Sequence, residues 1–443
     1  MIGYARRQPV ALAASEHSAE RAAGLGAGAV ERVARRRNEP AWLREQRLAA
    51  WREYERSPEP RWQRGIKGWW LTDLSRLRLE GLRPVLFSPS VTGLSLPQGT
   101  AAALRHQESG VGVAEARDWA ARGLYVADLA RAVRERPLLV GRYLGGQAGV
   151  AGDRLLSLAA AFWGSGVFLY VPEGLRVDLP VDVSANFTTP AALLGWRTVV
   201  VAEPGSSVTL SEEFLGAEGT GALLGAFSEI YVGAGASVTY ATLAGHGASN
   251  TVLAQRRAIV KQDGQLNWFA ANWGGATVRE VSEIRLSEPR ARLEMTGAFF
   301  ADGGQQFDGT ATVVHEAKQS AAEILLRGVV KDAARAAFAG TIRVPAGAQQ
   351  VESHLASHTL TLSDQARVDV VPSLEIAAND VRVGHGAAAG KLDEEQVFYL
   401  MSRGLTRDQA IRLLVRGFLE PALTRLPLAA ARERVERAVE GKI

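Results

Sequence analysis

Between Val201 and Val368 the chain repeats one unit: an apolar strand residue, a short turn, then apolar residues on alternate positions. It occurs as Val201…Gly205…Val208, Val232…Gly235…Val238, Val260…Gly264…Leu266, Leu286…Arg290…Leu293, Val330…Ala334…Phe338, Val344…Gly347…Val351 and Leu362…Ala366…Val368. The first four units start at Val201, Val232, Val260 and Leu286, steps of 31, 28 and 26 residues. Alternation is the period of a half-buried strand. A strand–turn–strand unit recurring at this length, with no helical stretch between copies, predicts a solenoid in which each coil covers its neighbour's apolar side. A β-sandwich also uses short strands and Gly-rich turns, so periodicity alone leaves both architectures open.

The flanks read differently. Residues 1 to about 40 are rich in Ala, Arg and Glu, the composition of a loose terminus. Arg6-Arg7 invites a twin-arginine reading, but Glu16, His17 and Glu20 interrupt the apolar stretch it needs and weigh against it. Leu43, Leu48 and Trp51 are spaced for one helical face. Trp62, Trp69 and Trp70 read as core of a small N-terminal subdomain, since large aromatics bury most of their area. Gly123 to Leu158 reads as helix broken at Pro137. These patterns divide the chain into a mostly helical region 1–155, a β core 156–384 and a helical region 385–443.

The hand-over lies between Val371 and Gly404. Leu374, Ile376, Val381 and Val383 keep the strand pattern. After Leu392, Asp393 is placed to cap a helix with Val397, Leu400 and Met401 on one face, stopped by Gly404. His385 stands at the join between two glycines. Thr406-Arg-Asp-Gln409 has the form of a capping box ahead of Ile411, Leu413, Leu414 and Phe418. Pro421 or Pro427 ends that helix, and Leu428 to Val439 forms a last one.

Composition narrows the chemistry. The 443 residues contain no cysteine, which excludes disulfides and thiolate ligands from this chain. The net charge of +4 is spread among interleaved Arg and Glu, without the clustered basic face of a nucleic-acid binder. No apolar run approaches the roughly 18 residues of a membrane span, and no secretory signal opens the chain; a cytoplasmic location is the expectation.

Candidate sites are few. His385 offers an imidazole ligand for iron or zinc, against the alternative of a histidine hydrogen-bonded in a turn. His354 and His358 have helical metal-pair spacing, but their segment alternates as strand. Four strand residues span about 13 Å, too far for both rings to reach one ion at about 2 Å, so a polar solenoid face is the reading. His106, His246 and His315 lack partners at ligand spacing and read as structural. Gly386-Ala-Ala-Ala-Gly390-Lys391-Leu392 is not a P-loop: it has three residues between its glycines where four are needed, and no hydroxyl after the lysine. Glu375 is placed either to satisfy backbone or to pair with Arg382, and Asp393 is accounted for as a cap. No nucleophile elbow or metalloprotease motif is present. Carboxylates on a solenoid face also suit a polysaccharide-active enzyme, but such enzymes are usually secreted.

The segments Pro372-Ser-Leu-Glu-Ile376 with Asp380-Val381, His385-Gly-Ala with Gly390-Lys-Leu-Asp393, and Phe398-Tyr-Leu-Met-Ser-Arg-Gly404 together resemble the SufB/SufD family of iron–sulfur cluster assembly proteins. Ala161-Phe162 with Gly166-Val-Phe-Leu-Tyr-Val-Pro-Glu-Gly174 is similar to the opening of that family's core. Gly68-Trp-Trp-Leu-Thr-Asp-Leu74 is similar to a segment near the start of SufD-like sequences. The His-Gly pair at 385 and 386 resembles the SufD branch, the SufB branch tending to His-Glu. Many SufD-like sequences carry a cysteine where this chain has Val383.

The resemblance implies a mainly β fold, a right-handed parallel β-helix flanked by N- and C-terminal helical regions. It implies a non-catalytic scaffold subunit of a SufBCD-type complex, paired edge to edge with a SufB-like subunit or with a second copy as a homodimer. Leu360, Leu362, Val368, Val370 and Leu374 are expected to border that edge. The C-terminal helices would receive a SufC-like ATPase, with no nucleic-acid or membrane partner. No cofactor is expected on this chain alone; iron or a nascent cluster would be met at the junction, where the resemblance places His385 as a candidate ligand.

Overall fold

The computed structural model describes residues 25–58, 77, 79, 81–86, 91, 93–107, 110–145 and 153–443. The expectations for Arg6-Arg7, for Trp62, Trp69 and Trp70 and for the segment Gly68 to Leu74 lie outside the described residues. The body is a parallel β-solenoid made of two ten-stranded sheets. From Ala192–Ala202 onward successive strands alternate between the sheets, each pairing in parallel with the strand two before it and the strand two after it. A coil is thus one strand in each sheet; the first four sequence units and Val344…Val351 mark the turn from the first sheet to the second, and Val330…Phe338 and Leu362…Val368 mark the turn back.

Inside, alternate side chains from both sheets form one apolar core in which Val200, Ile230, Ala258, Ile284, Val313 and Ile342 stack coil upon coil. Each fully buried Val, Leu or Ile contributes about 1.5–3 kcal/mol over an exposed one. Large residues fit beside small ones. Gly328 lies against the Phe299 ring, and a Cβ there would overlap it. Gly328→Ala should destabilise the protein by about 1–3 kcal/mol, as overpacking does; a urea midpoint unchanged from wild type would refute this packing.

The corners explain the register. At the turn from the first sheet to the second, Gly205, Gly235, Asp263, Arg290, Gln319 and Gln350 all have left-handed backbone, with φ between 55° and 69°. Each donates its N–H to a carbonyl of the next coil's corner: Ala234, Gln262, Pro289, Lys318, Gln349 and Asp380 respectively, at 2.6–3.3 Å. The corners thus form a hydrogen-bonded spine running the length of the solenoid.

The two ends differ. At the start, Gly110–Glu115 pairs antiparallel with Ala102–Gln107 in one sheet, and Tyr125–Asp128 pairs antiparallel with Trp163–Val171 in the other. Tyr125–Asp128 corrects the expectation of helix from Gly123, because the first coil's free edge demands backbone partners; helix begins at Leu129 and restarts at Pro137. At the finish, Arg367–Ile376 and Val381–Lys391 are the terminal strands of the two sheets, and among the described residues neither has a strand on its outer side.

Helices cover the outer faces and leave that end bare. Helices Ala41–Arg56 and Arg154–Ala161 pack on Leu193, Leu223, Phe227 and Leu253 of the first sheet. Helices Arg407–Leu423 and Ala429–Glu440 fold back over Leu243, Ala271, Ala298 and Val329 of the second. Leu360 and Leu362, expected at the edge, instead pack against that helical cluster, whereas Val368, Val370 and Leu374 do lie on a terminal strand. Thr406 makes the capping box with Gln409, and Asp393 accepts from the backbone N–H groups of Glu395 and Gln396. Of the two prolines expected to end this helix, Pro421 lies inside it, and the helix stops at Leu423, ahead of Pro427. So near the terminus the proline forfeits only a bond to the Gly417 carbonyl.

Candidate functional site

The last strand runs from Val381 through all three glycines to Lys391. The boundary between strand and helix therefore falls after residue 391 and not at 384, and His385 sits within a strand. Gly and Ala are poor strand formers, but pairing along the full length of Val351–Thr361 overrides that preference.

Register fixes the direction of His385. It lies opposite Leu355. Following that column inward gives Leu355, Ile324, Met295, Trp268, Tyr240, Leu210 and Val181, all of the solenoid's interior. His385 is thus the last member of an inward-facing apolar column. An imidazole is tolerated there because no further coil covers it, and the residue is exposed. Val383, two residues earlier, belongs to the same inward row above Ser353 and packs partly buried against the core. On the other face Gly384 stands beside His354, whose Nδ1 would be 3.6 Å from a Cβ at that position, and nothing lies within 4 Å of one at Gly386. The surroundings of His385 are small and open.

The nearby charges are paired elsewhere. Arg382 meets Glu352 at 3.3 Å, Lys391 meets Asp364 at 2.7 Å, and Arg343 meets Glu375 at 2.6 Å. The expected Glu375–Arg382 pair does not form, because the two residues sit on terminal strands of different sheets. His354 and His358 share the strand Val351–Thr361 on its outer face, at strand spacing. His106 packs between Phe187 and Trp196 at ring distances of 5.8 and 5.4 Å. His315 Nδ1 lies 2.8 Å from the Ser320 hydroxyl. Burial holds His246, with Arg256 nearby, at about 4, and burial alone holds His315 at about 4. Among the described residues no three His, Cys, Asp or Glu side chains are grouped to hold a metal ion.

A buried polar network escaped the sequence reading. Glu212 accepts from Trp196 Nε1 at 2.7 Å, from Thr198 Oγ1 at 2.6 Å and from the Tyr240 hydroxyl. Arg256 donates to Glu280 at 2.9 Å, as does Asn272. Burial pushes the Glu212 carboxyl up, against its three hydrogen bonds. Burial opposes the charge of Arg256, and Glu280, Tyr240 and Glu212 outweigh it, so the guanidinium stays charged. Only the inward parity of these positions could have signalled the network, since Glu212 stands beside Glu213 with no local pattern to separate them.

Fold and site together define a parallel β-solenoid finished at one end and open at the other, with an imidazole at the open mouth. Its sequence matches the family described as "SUF system FeS cluster assembly, SufBD core domain" over residues 187–418 and "SufBD protein N-terminal region" over residues 111–183. The chain belongs to the SufBD family. It is similar to the iron–sulfur cluster assembly protein SufD of Bacillus subtilis, 28% identical over 417 residues that cover 91% of this chain and 95% of the relative. SufBD family proteins of Staphylococcus saprophyticus and Staphylococcus haemolyticus are each 25% identical over 447 residues, covering 95% of this chain and 94% of theirs. No helix among the described residues is long and apolar enough to cross a membrane.

Proposed function

We propose that this chain is a non-catalytic scaffold subunit of a cytoplasmic iron–sulfur cluster assembly complex. It pairs through the open end of its solenoid with a SufB-like subunit, and iron and sulfide, the cargo, assemble at that junction with His385 as this chain's ligand. The observation that carries the reading is the asymmetry of the ends: the antiparallel strands that end the first are largely buried, while the two terminal strands of the second are largely exposed, have no strand beyond them among the described residues and carry an exposed imidazole between glycines. An uncovered edge is a template for another strand. Because the chain has no cysteine, the partner supplies the thiolates that a cluster requires.

The C-terminal helices serve the second contact. Phe398, Tyr399 and Met401 of helix Glu394–Ser402 are 73, 56 and 42% exposed, and Leu413 of the next helix is 51% exposed. Beside them a groove of about 340 Å³ is lined by Leu413, Leu419, Leu423, Val439 and Ile443 and rimmed by Arg412, Arg416, Glu436 and Glu440. Aromatic and Met side chains over a polar rim are the composition of a protein interface, which supports docking of a SufC-like ATPase there.

His385→Ala tests the site. In the co-purified complex it should leave association intact and reduce cluster formation, read by absorbance during reconstitution with ferrous iron and sulfide, by on the order of tenfold or more, the scale of losing a metal-site partner. Normal cluster formation would remove the assignment without touching the fold. The second reading, a structural partner with no metal contact, draws on the absence of cysteine and of any three-residue ligand group among the described residues. Ferrous iron binding by the complex that is indifferent to His385→Ala would favour it.

A further inference from the structure

The residue beneath His385 has an unusual seat. Leu355 is 1% exposed, and its Cδ1 reaches across the lumen to lie against Gly340 of the opposite sheet, where any Cβ would overlap it. Gly340 pairs in turn with Pro372 of the terminal strand. One leucine therefore bridges the two sheets under the last coil, directly below the imidazole in register. Flanking it on the same inward row are Ser353 and Ser357, 4 and 0% exposed, whose hydroxyls have no hydrogen-bond partner.

We propose that Leu355, seated on Gly340, is the positioning residue that keeps the His385 ring raised at the open mouth. Two physical pulls act on the ring. A buried hydroxyl without a partner favours any donor or acceptor that reaches it, and an imidazole supplies either. The seryl groups lie diagonally below His385, and the leucine side chain occupies the space the ring would need to approach them. The same packing closes the lumen beneath the mouth, so cargo meets His385 from the open end and not through the solenoid. The inference rests on the proposal that His385 is the working side chain, but its geometry can be tested without iron.

The test is the reactivity of His385 toward diethyl pyrocarbonate in the full-length chain. Tryptic cleavage after Arg382 and Lys391 isolates His385 alone in the peptide 383–391, and the outward-facing His354 in another peptide serves as internal reference. In Leu355→Ala the ratio of His385 to His354 modification should fall by about tenfold, equivalent to a preference of about 1.4 kcal/mol for the sunken ring. Leu355→Met, which refills the space, should restore the wild-type ratio. Leu326→Ala is the control for a cavity in the neighbouring column: Leu326 lies 2.6 Å from the Cβ position of Gly297, beneath Ser357 and outside the His385 column. It should lower the melting temperature and leave the ratio alone. Should Leu355→Ala fail to fold, Leu355→Val gives the same direction with a smaller change. An unchanged ratio in the folded Leu355 variants, or an equal fall in Leu326→Ala, overturns the positioning role. Neither result bears on whether His385 meets iron, which cluster formation by His385→Ala decides separately.

Discussion

Replacing Ala387 by proline should weaken pairing at the open end by on the order of a hundredfold while leaving the subunit folded. The alternation of backbone groups along the last strand makes this separation available. At one end of its ladder Gln350 N–H donates to the Asp380 carbonyl, and at the other Leu392 N–H donates to the Thr361 carbonyl. Uninterrupted register between those points means that even-numbered residues bond inward to Val351–Thr361, and the N–H groups of Val383, His385, Ala387 and Ala389 point to the free edge. Proline at 387 removes a donor the solenoid does not use, and proline is tolerated on edge strands with its missing N–H outward. A partner strand would lose one ladder bond, worth about 1 kcal/mol, and would meet the pyrrolidine ring in the hydrogen-bonding plane. Together these should weaken association by on the order of a hundredfold, about 2.7 kcal/mol.

The neighbouring substitution Ala388→Pro gives the contrast. There the lost N–H belongs to the inner ladder, so the melting temperature should fall as well. Analytical ultracentrifugation with the SufB-like subunit and thermal melts of both variants would measure the pair. Association that survives Ala387→Pro would show that the bare edge is not the contact, and the proposed junction would have to move elsewhere. His385→Ala, by comparison, should spare association, because its backbone donor remains.

Much of this architecture is legible in the sequence. The corners at Gly205 and Gly235 declare themselves through glycine, and the stacked Val232, Val260 and Leu286 give the coil its period. The coil that turns at Gln319 went unseen, because a left-handed glutamine carries no turn signal. Its conformation is set by the spine bond from its N–H to Gln349, a contact thirty positions along the chain. The antiparallel caps at Gly110–Glu115 and Tyr125–Asp128 were hidden for a related reason: edge closure is a demand of the assembled coil, not of the local residues. Gly384 and Gly386 suggest a bend around His385, but the partner strand holds them straight, and the histidine terminates a column of buried side chains. Glu212 and Arg256 show the converse, polar residues in an apolar row whose cost is met by partners on other coils.

Acid should destabilise the solenoid through two histidines far from the mouth. His246 and His315 are buried and neutral, each held at about 4 against 6.5 for the free side chain. Between those values the unfolded chain binds protons that the folded chain refuses, so unfolding gains ground as the pH falls through that window. Stability from these groups is intact above about 6.5 and is lost by about 3 kcal/mol for each as the pH approaches 4. Two buried carboxyls work against this slope: burial pushes both Glu212 and Asp128 up, so the folded state takes up their protons earlier than the unfolded one. The measurement must therefore be a difference. Urea unfolding of wild type, His246→Asn and His315→Asn at about pH 7.5 and about pH 5 isolates each ring. Either variant should be less stable than wild type at the higher pH, since each leaves a cavity, and should lose less on acidification. His315→Asn keeps an amide where the ring bonds Ser320, which makes it the gentler change. Curves that fall in parallel with wild type would mean that these imidazoles accept protons within the folded solenoid, contrary to their burial.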